Sequence, residues 1–435
     1  MIIKKALKIG ADDVIVQTTK GKANQVKFAN NSITAIQNWN VLRSNIFLTW
    51  KGRVVQTTID DLSEKSVNET IKKLIKYAKA TKPSSDYFGI AQGPFKYKKI
   101  PNLYDKKIEN ISENILDKVQ TAINSALQNS KKTAGTLYTT SFENNLETSS
   151  NVSASEKSTT IQIYIRAFNE KDESGHAVSC ARTLNNFNPE KAGEKAGLIS
   201  KLAKKPKKGR KGKFDVIFDS LPIANLLNLV GRFSSAFAVD AGFSFLAEKL
   251  GKEVGSKIVN LADNGSIEGG FHSSMFDAEG YPTQKTNIIN KGILKTYLHN
   301  TSTAKKYKTK STGNAGLIAP IPTNIILKPG KFSKEKLFKK VKEGLYITNV
   351  WYTRFQNYRT GDFSTIPRDG IFLIKNGNIT KSLKGIRITD NLERILKNII
   401  AISNKPEWIQ WWEVETPVLT PFVLVKNVNI TCPTM

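Results

Sequence analysis

The sequence predicts an α+β protein: one or more N-terminal mixed α/β domains, followed by a strand-rich C-terminal domain. Three observations carry this. Segments with a two-residue apolar alternation and segments with helical spacing occur in separate blocks, not in the strict succession of a doubly wound chain. Beyond a helix near residue 230 the chain becomes strand- and turn-rich. A composition of 39% hydrophobic and 24% charged residues allows a packed core.

The elements follow in order. Val14 and Val16, Val26 and Phe28, and Ile46 and Leu48 sit two apart, as half-buried strands require. Val67, Ile71, Leu74, Ile75 and Ala78 repeat at helical spacing, with Ser66 and Glu69 as a capping box and Pro83 past the end. Pro83 to Pro101 reads as a domain-edge loop. Ile115, Val119, Ala122, Ile123 and Ala126 make a second helix face. Ile161, Ile163 and Ile165 then alternate with Gln162 and Tyr164, a one-sided strand. Pro189 starts another helix. After the strand Phe214–Phe218, Ile223, Leu226, Leu227, Val230, Phe233 and Phe237 share one helix face. Gly370 to Thr380 reads as a hairpin turned at Asn376-Gly377. A late helix carries Leu392 to Ile400, and Phe422 to Ile430 closes the chain. The expected domains are 1–100, 101–203 and 214–435, with a basic linker at 204–213.

The 435 residues include 66 Lys and Arg against 37 Asp and Glu, a net charge of +29. Such a charge raises nucleic acid as a partner. The one dense run, Lys201–Lys213, holds eight basic residues in thirteen but no aromatic to stack on a base. A solvated linker is the expected reading, and nucleic acid the disfavoured one. No apolar run is long enough for a membrane helix. No secretory leader is legible at the start, so a cytoplasmic location is expected. Two cysteines, Cys180 and Cys432, are too few for a disulfide framework.

Local chemistry is sparse. The three histidines, His176, His272 and His299, lie far apart, so none forms the paired-imidazole helix of a zinc peptidase. His176 and Cys180 are four apart, but their surroundings look strand-like, which places them two pleats apart. No nucleophile elbow and no phosphate-binding loop is present.

A set of ordered boxes nevertheless resembles the TldD/PmbA metallopeptidase family, the so-called modulators of DNA gyrase. Phe276-Asp277-Ala278-Glu279-Gly280-Tyr281-Pro282-Thr283 is similar to its central signature. Gly292 to Leu298, Ser311 to Ala315, Thr323 to Gly330 and Thr360-Gly361-Asp362-Phe363-Ser364 follow in the family's order. The resemblance implies a TldD/PmbA-like fold across the chain. It also implies a pairing of two branches, of which the TldD type carries zinc on an H-E-x-x-x-H helix, with a cysteine farther on. In this sequence the corresponding stretch is Leu227-Asn228-Leu229-Val230-Gly231-Arg232. Leu227 and Arg232 replace the histidines and Asn228 the glutamate base. The region where the cysteine is expected, Glu407 to Trp412, has no thiol, and Cys432 lies beyond it.

The resemblance therefore implies a TldE/PmbA-type subunit with no catalytic or metal-binding residues of its own. Its expected partner is a zinc-bearing TldD-like chain, or a second copy when alone, and its expected substrate is an unfolded peptide. Asp277, Glu279 and Gly280, and Thr360, Gly361, Asp362, Phe363 and Ser364, are the candidate peptide- or partner-facing residues, each with a tight turn as the competing reading. A nucleic-acid-associated protein, or a metallopeptidase with an atypical site near His176 or His272, are the alternatives.

Overall fold

The computed structural model describes residues 2–432. Its first half is built on one antiparallel sheet. After the helix α1 (Ile2–Lys8), the strands β1 (Val14–Ala29), β2 (Ser32–Trp50) and β3 (Arg53–Ile59) run to and fro. The helices α2 (Glu64–Ala80), α3 (Lys106–Glu109) and α4 (Asn114–Leu127) precede β4 (Lys132–Thr148), β5 (Ser153–Phe168) and β6 (Ser174–Ala181). The strand order is β3-β2-β1-β4-β5-β6. A two-residue side-chain period gives this sheet two different faces. Val26, Phe28, Leu137, Ile161, Ile163 and Ile165 point one way and pack on α4. Val14, Val16, Ile46 and Leu48 pack on α2. The alternate positions, Thr140, Ser158, Thr160 and Gln162 among them, line a cleft on the other face.

The expected boundary near residue 100 falls inside this sheet. β1 pairs with β4 continuously from Ile15–Thr148 to Ala29–Ala134, so residues 1–100 and 101–203 share one sheet. Helix α2 is capped by Ser63, whose Oγ accepts the Ser66 N–H, and not by a Ser66–Glu69 box. Ser63 is held in turn by Asp61, whose carboxylate accepts its N–H and its hydroxyl.

Helix α5 (Pro189–Leu202) leads into the basic run. The run is not a free linker. Its strand β7 (Lys207–Lys208) pairs with the strand Asn378–Lys384, and Arg210 is ion-paired with Glu343 at 2.7 Å.

In the C-terminal part, β8 (Gly212–Phe218) lies inside a ten-stranded sheet, between the antiparallel Val423–Thr431 and the parallel Glu343–Ile347. A second sheet of six strands includes Leu261–Asn264, Ile325–Leu327 and Val414–Thr420. Helix α6 (Ser220–Phe233) packs against strands of both sheets, including β8, Ile325–Leu327 and Val414–Thr420. Twelve of its fourteen residues are buried, as expected of a helix apolar nearly all round. It ends at Phe233. Phe237 lies on the separate helix Ala236–Asp240 and is 49% exposed, so it does not extend the α6 face. The hairpin turns at Asn376 and Gly377, both at positive φ, as its sequence implied. The late helix stops at Lys397, and Ile399 and Ile400 start a strand.

Candidate functional site

Helix α6 carries Leu227, Asn228 and Arg232, the stretch that the sequence resemblance sets against a zinc-binding helix. Its N-cap, Asp219, is buried. Its carboxylate accepts the Ser220 N–H, the Lys195 ammonium at 2.8 Å and the Tyr346 hydroxyl at 2.6 Å. Leu227 is wholly buried in the core. Asn228 Oδ1 accepts the Thr416 N–H at 3.0 Å. Arg232 Nη1 stands 2.9 Å from Glu415 Oε2. Asn225, Asn228, Arg232, Thr353, Glu413 and Glu415 border a cavity of about 360 Å³. Leu227, Asn228 and Arg232 do not fit zinc, which takes several nitrogen, sulfur or carboxylate donors at about 2.0–2.3 Å, and the two carboxylates Glu413 and Glu415 alone do not make up such a set. Leu227 has no donor atom, the Asn228 oxygen is already engaged, and Arg232 is a cation. Gly231 is retained for packing: a Cβ there would lie 2.6 Å from Ile325 Cδ1.

The scattered histidines do not supply a substitute. His176 lies on β6, fully buried, with Nδ1 2.9 Å from Asn349 Nδ2. The amide donates, so the neutral ring carries its proton on Nε2, which has no partner. Burial lowers this imidazole to about 4. Cys180 is on the same strand, and burial raises its thiol to about 12. His299 is buried against Thr303, and His272 stands exposed within the cleft. Among the described residues no group of three His, Cys, Asp or Glu is placed to hold a metal ion.

The candidate signature residues form a capped turn. Asp277 accepts the N–H groups of Glu279, Tyr281 and Ala315, each at 2.9 Å. Glu279 accepts from Thr301 N at 3.3 Å. Burial raises both carboxyls, and the Asp277 charge pushes Glu279 further up. Gly280 has φ +77°, and its carbonyl accepts the Tyr97 hydroxyl at 2.7 Å. Asp277 borders the cleft, whereas Glu279 borders a different, smaller cavity.

The segment Thr360 to Ser364 is also a turn. Thr360 Oγ1 donates to Asp362 Oδ2, and Asn391 Nδ2 donates to Asp362 Oδ1. Gly361 has φ +83° and lies against Phe245, Phe363 is fully buried, and Ser364 Oγ accepts from Arg387. None of the five lines the cleft or the α6 cavity.

Two features had no local signal. One is Asp369, wholly buried. It accepts Arg166 Nη2 at 2.6 Å, Ser174 Oγ at 2.8 Å and Trp351 Nε1 at 2.8 Å, tying β5 and β6 to the C-terminal part. Burial acts to raise its carboxyl, but the Arg166 and His176 interactions hold it below the usual range. The other is the cleft itself, about 810 Å³, between the polar face of the N-terminal sheet and the segments around Phe271–Ala278, Asn314–Thr323 and Gln410–Trp412. Trp412 borders both the cleft and the α6 cavity.

Comparison with known proteins agrees with this architecture. The family model described as PmbA/TldA metallopeptidase C-terminal domain matches residues 211–432. A metalloprotease of Methanocaldococcus jannaschii is 37% identical over 203 residues, 44% of each chain. The metalloprotease PmbA of Escherichia coli O157:H7 is 28% identical over 237 residues, 54% of this chain and 51% of that one. The chain thus aligns with about half the length of the curated relatives it matches. The crystal structure of TldE from Thermococcus kodakarensis superposes with a TM-score of 0.88 over 99% of both chains at 20% identity, a likeness of fold. With the family model matching residues 211–432, about half of the chain and all of the part built around α6, the chain belongs to the PmbA/TldD metallopeptidase family.

Proposed function

We propose that the chain is a non-catalytic, TldE-type subunit that pairs with a zinc-bearing TldD-like chain and helps to hold an unfolded peptide for cleavage by that partner. The observation that carries this reading is the state of α6. Leu227 is in the core, Asn228 is bonded to Thr416, and Arg232 is paired with Glu415. The helix keeps its packing, including the close approach at Gly231, while the side chains a zinc hydrolase needs are replaced. The named relatives are metalloproteases, and the fold neighbour is a TldE, which supports a place in a proteolytic assembly. Zinc belongs, in this reading, to the partner. The net charge of +29 does not favour nucleic acid: its one dense run is partly tied down at β7 and Arg210.

Mixing with a TldD-like chain from the same source tests this. The expected result is a heterodimer by mass, with peptide hydrolysis above that of the TldD-like chain alone. Two chains that stay separate, with no change in rate, contradict it.

A further inference from the structure

We propose that the groove between α5, the helix Lys334–Lys339 and the hairpin turn at Asn376-Gly377 binds a small aromatic anion, an aryl body of ligand size bearing a carboxylate or sulfonate. The inference does not depend on the subunit reading. The groove shares no lining residue with the cleft or with the α6 cavity.

Helix α5 supplies one wall. Its small residues Ala192 and Ala196 are buried in the core. Lys191, Lys195, Leu198 and Leu202 recur at helical spacing and share a different stripe, which borders the groove. Leu198 and Leu202 are 41% and 51% exposed, so this stripe is apolar toward its end without being covered. The floor is aromatic. Phe338 and Tyr346 meet edge-on at 5.1 Å, and Tyr346 and Phe422 are stacked at 6.3 Å between ring centres. The Tyr346 hydroxyl donates to the buried Asp219, which fixes that ring in place. Preformed aromatic surface of this kind receives a further ring by stacking or by its edge.

The charges select the sign of the ligand. Lys334 Nζ stands 4.8 Å from the ring centre of Phe422 and 5.5 Å from that of Tyr346, a cation held over the aromatic floor. Lys195 is engaged by Asp219 and Glu407, and Lys191 stands 3.8 Å from Glu407. Among the described residues, Lys334, Lys339 and Lys405 form no ion pair. Lys334 influences Glu335 and Glu407 only through space. In all, five lysines border the groove against three glutamates, so cations are in excess there. An anion would gain at the lysines while its apolar body covers Leu198 and Leu202; a neutral body would gain the burial alone, and a cation would meet like charge. The volume of about 870 Å³ lies within the range of roughly 300–1,000 Å³ usual for small-molecule sites, which favours a single compact ligand over a partner helix.

The test is fluorescence titration of the isolated full chain with anilinonaphthalene sulfonate and with phenyl-naphthylamine, the same rings without the anion. The expected result is one-to-one binding of the sulfonate and at least tenfold weaker binding of the neutral amine. Lys334→Glu should weaken the sulfonate at least tenfold. Leu202→Glu, at a half-exposed position, should do the same and serves if Lys334→Glu does not fold. Lys76→Glu makes the same change in net charge on the exposed face of α2 and should leave the affinity within twofold. Comparable affinity for the two dyes overturns the inference, because the groove would then be merely apolar. An equal loss in Lys76→Glu and Lys334→Glu also overturns it, because net charge alone would then hold the dye. No saturable binding of the sulfonate, alongside calorimetric binding of an acidic, leucine-rich helical peptide, overturns it and assigns the groove to a protein partner.

Discussion

Arg232 and Glu415 form an ion pair of 2.9 Å at the α6 cavity. Both side chains are more than half exposed, at 52% and 69%. Exposed pairs of this kind contribute about 0–1 kcal/mol. Arg232→Ala is therefore expected to change unfolding free energy by less than about 1 kcal/mol in urea titration. A larger loss would mean that the pair holds α6 in place.

A histidine placed at Leu227 should behave differently. Leu227 is wholly buried among apolar side chains. Leu227→His puts a polar ring there without a partner, at a cost of roughly 2–5 kcal/mol. The triple variant Leu227→His, Asn228→Glu, Arg232→His should fold poorly and retain no stoichiometric zinc after dialysis. A stable variant with one zinc per chain would show that the cavity kept its metal-binding geometry.

The Asp369 cluster should be a major mechanical link between the N-terminal sheet and the C-terminal part. Asp369→Ala leaves Arg166, Ser174 and Trp351 without their shared acceptor. Removing one partner of a buried pair costs about 3–5 kcal/mol. The expected result in denaturant is a loss of that size, and a loss below about 1 kcal/mol would contradict the link.

The pair Asp277 and Glu279 gives a pH dependence. Burial raises both carboxyls, so the folded chain keeps protons that the unfolded chain releases above about pH 4. Their contribution to stability is thus present at low pH and is lost as pH rises toward the raised folded values. His176, lowered to about 4, acts oppositely: stability falls as pH drops through the ordinary imidazole range. Glu279→Gln keeps an acceptor for Thr301 but removes the titration. Its stability should fall less steeply than that of the parent between about pH 5 and 7. Parallel slopes for the two proteins would show that Glu279 does not titrate in that window.

What the sequence made legible was what short-range pattern encodes. The alternation of Ile161, Ile163 and Ile165 with Gln162 and Tyr164 marked the two faces of β5, and Asn376-Gly377 marked the C-terminal hairpin between Ile371–Lys375 and Asn378–Lys384. The shared face of Ile223, Leu226, Leu227, Val230 and Phe233 marked helix α6. Long-range pairing was not legible. Nothing near residue 100 announces that β1 will pair with β4 more than a hundred residues on, and the domain boundary was drawn through that sheet. The cleft is not legible for a related reason: Thr140, Ser158 and Thr160 become one wall only through the pairing of β4 with β5 and the C-terminal loops that cover them. For Thr360 to Ser364 the competing reading, a tight turn, describes the local geometry: Gly361 has φ +83° and Phe363 is buried.

The central claim, that α6 here is a scaffold without its chemistry, is tested most directly by assaying zinc content and peptide hydrolysis on the purified chain alone. The account predicts substoichiometric zinc and no hydrolysis of an unfolded peptide above the buffer rate, with or without added zinc. Zinc near one per chain, with hydrolysis abolished by a chelator and restored by the metal, would contradict it.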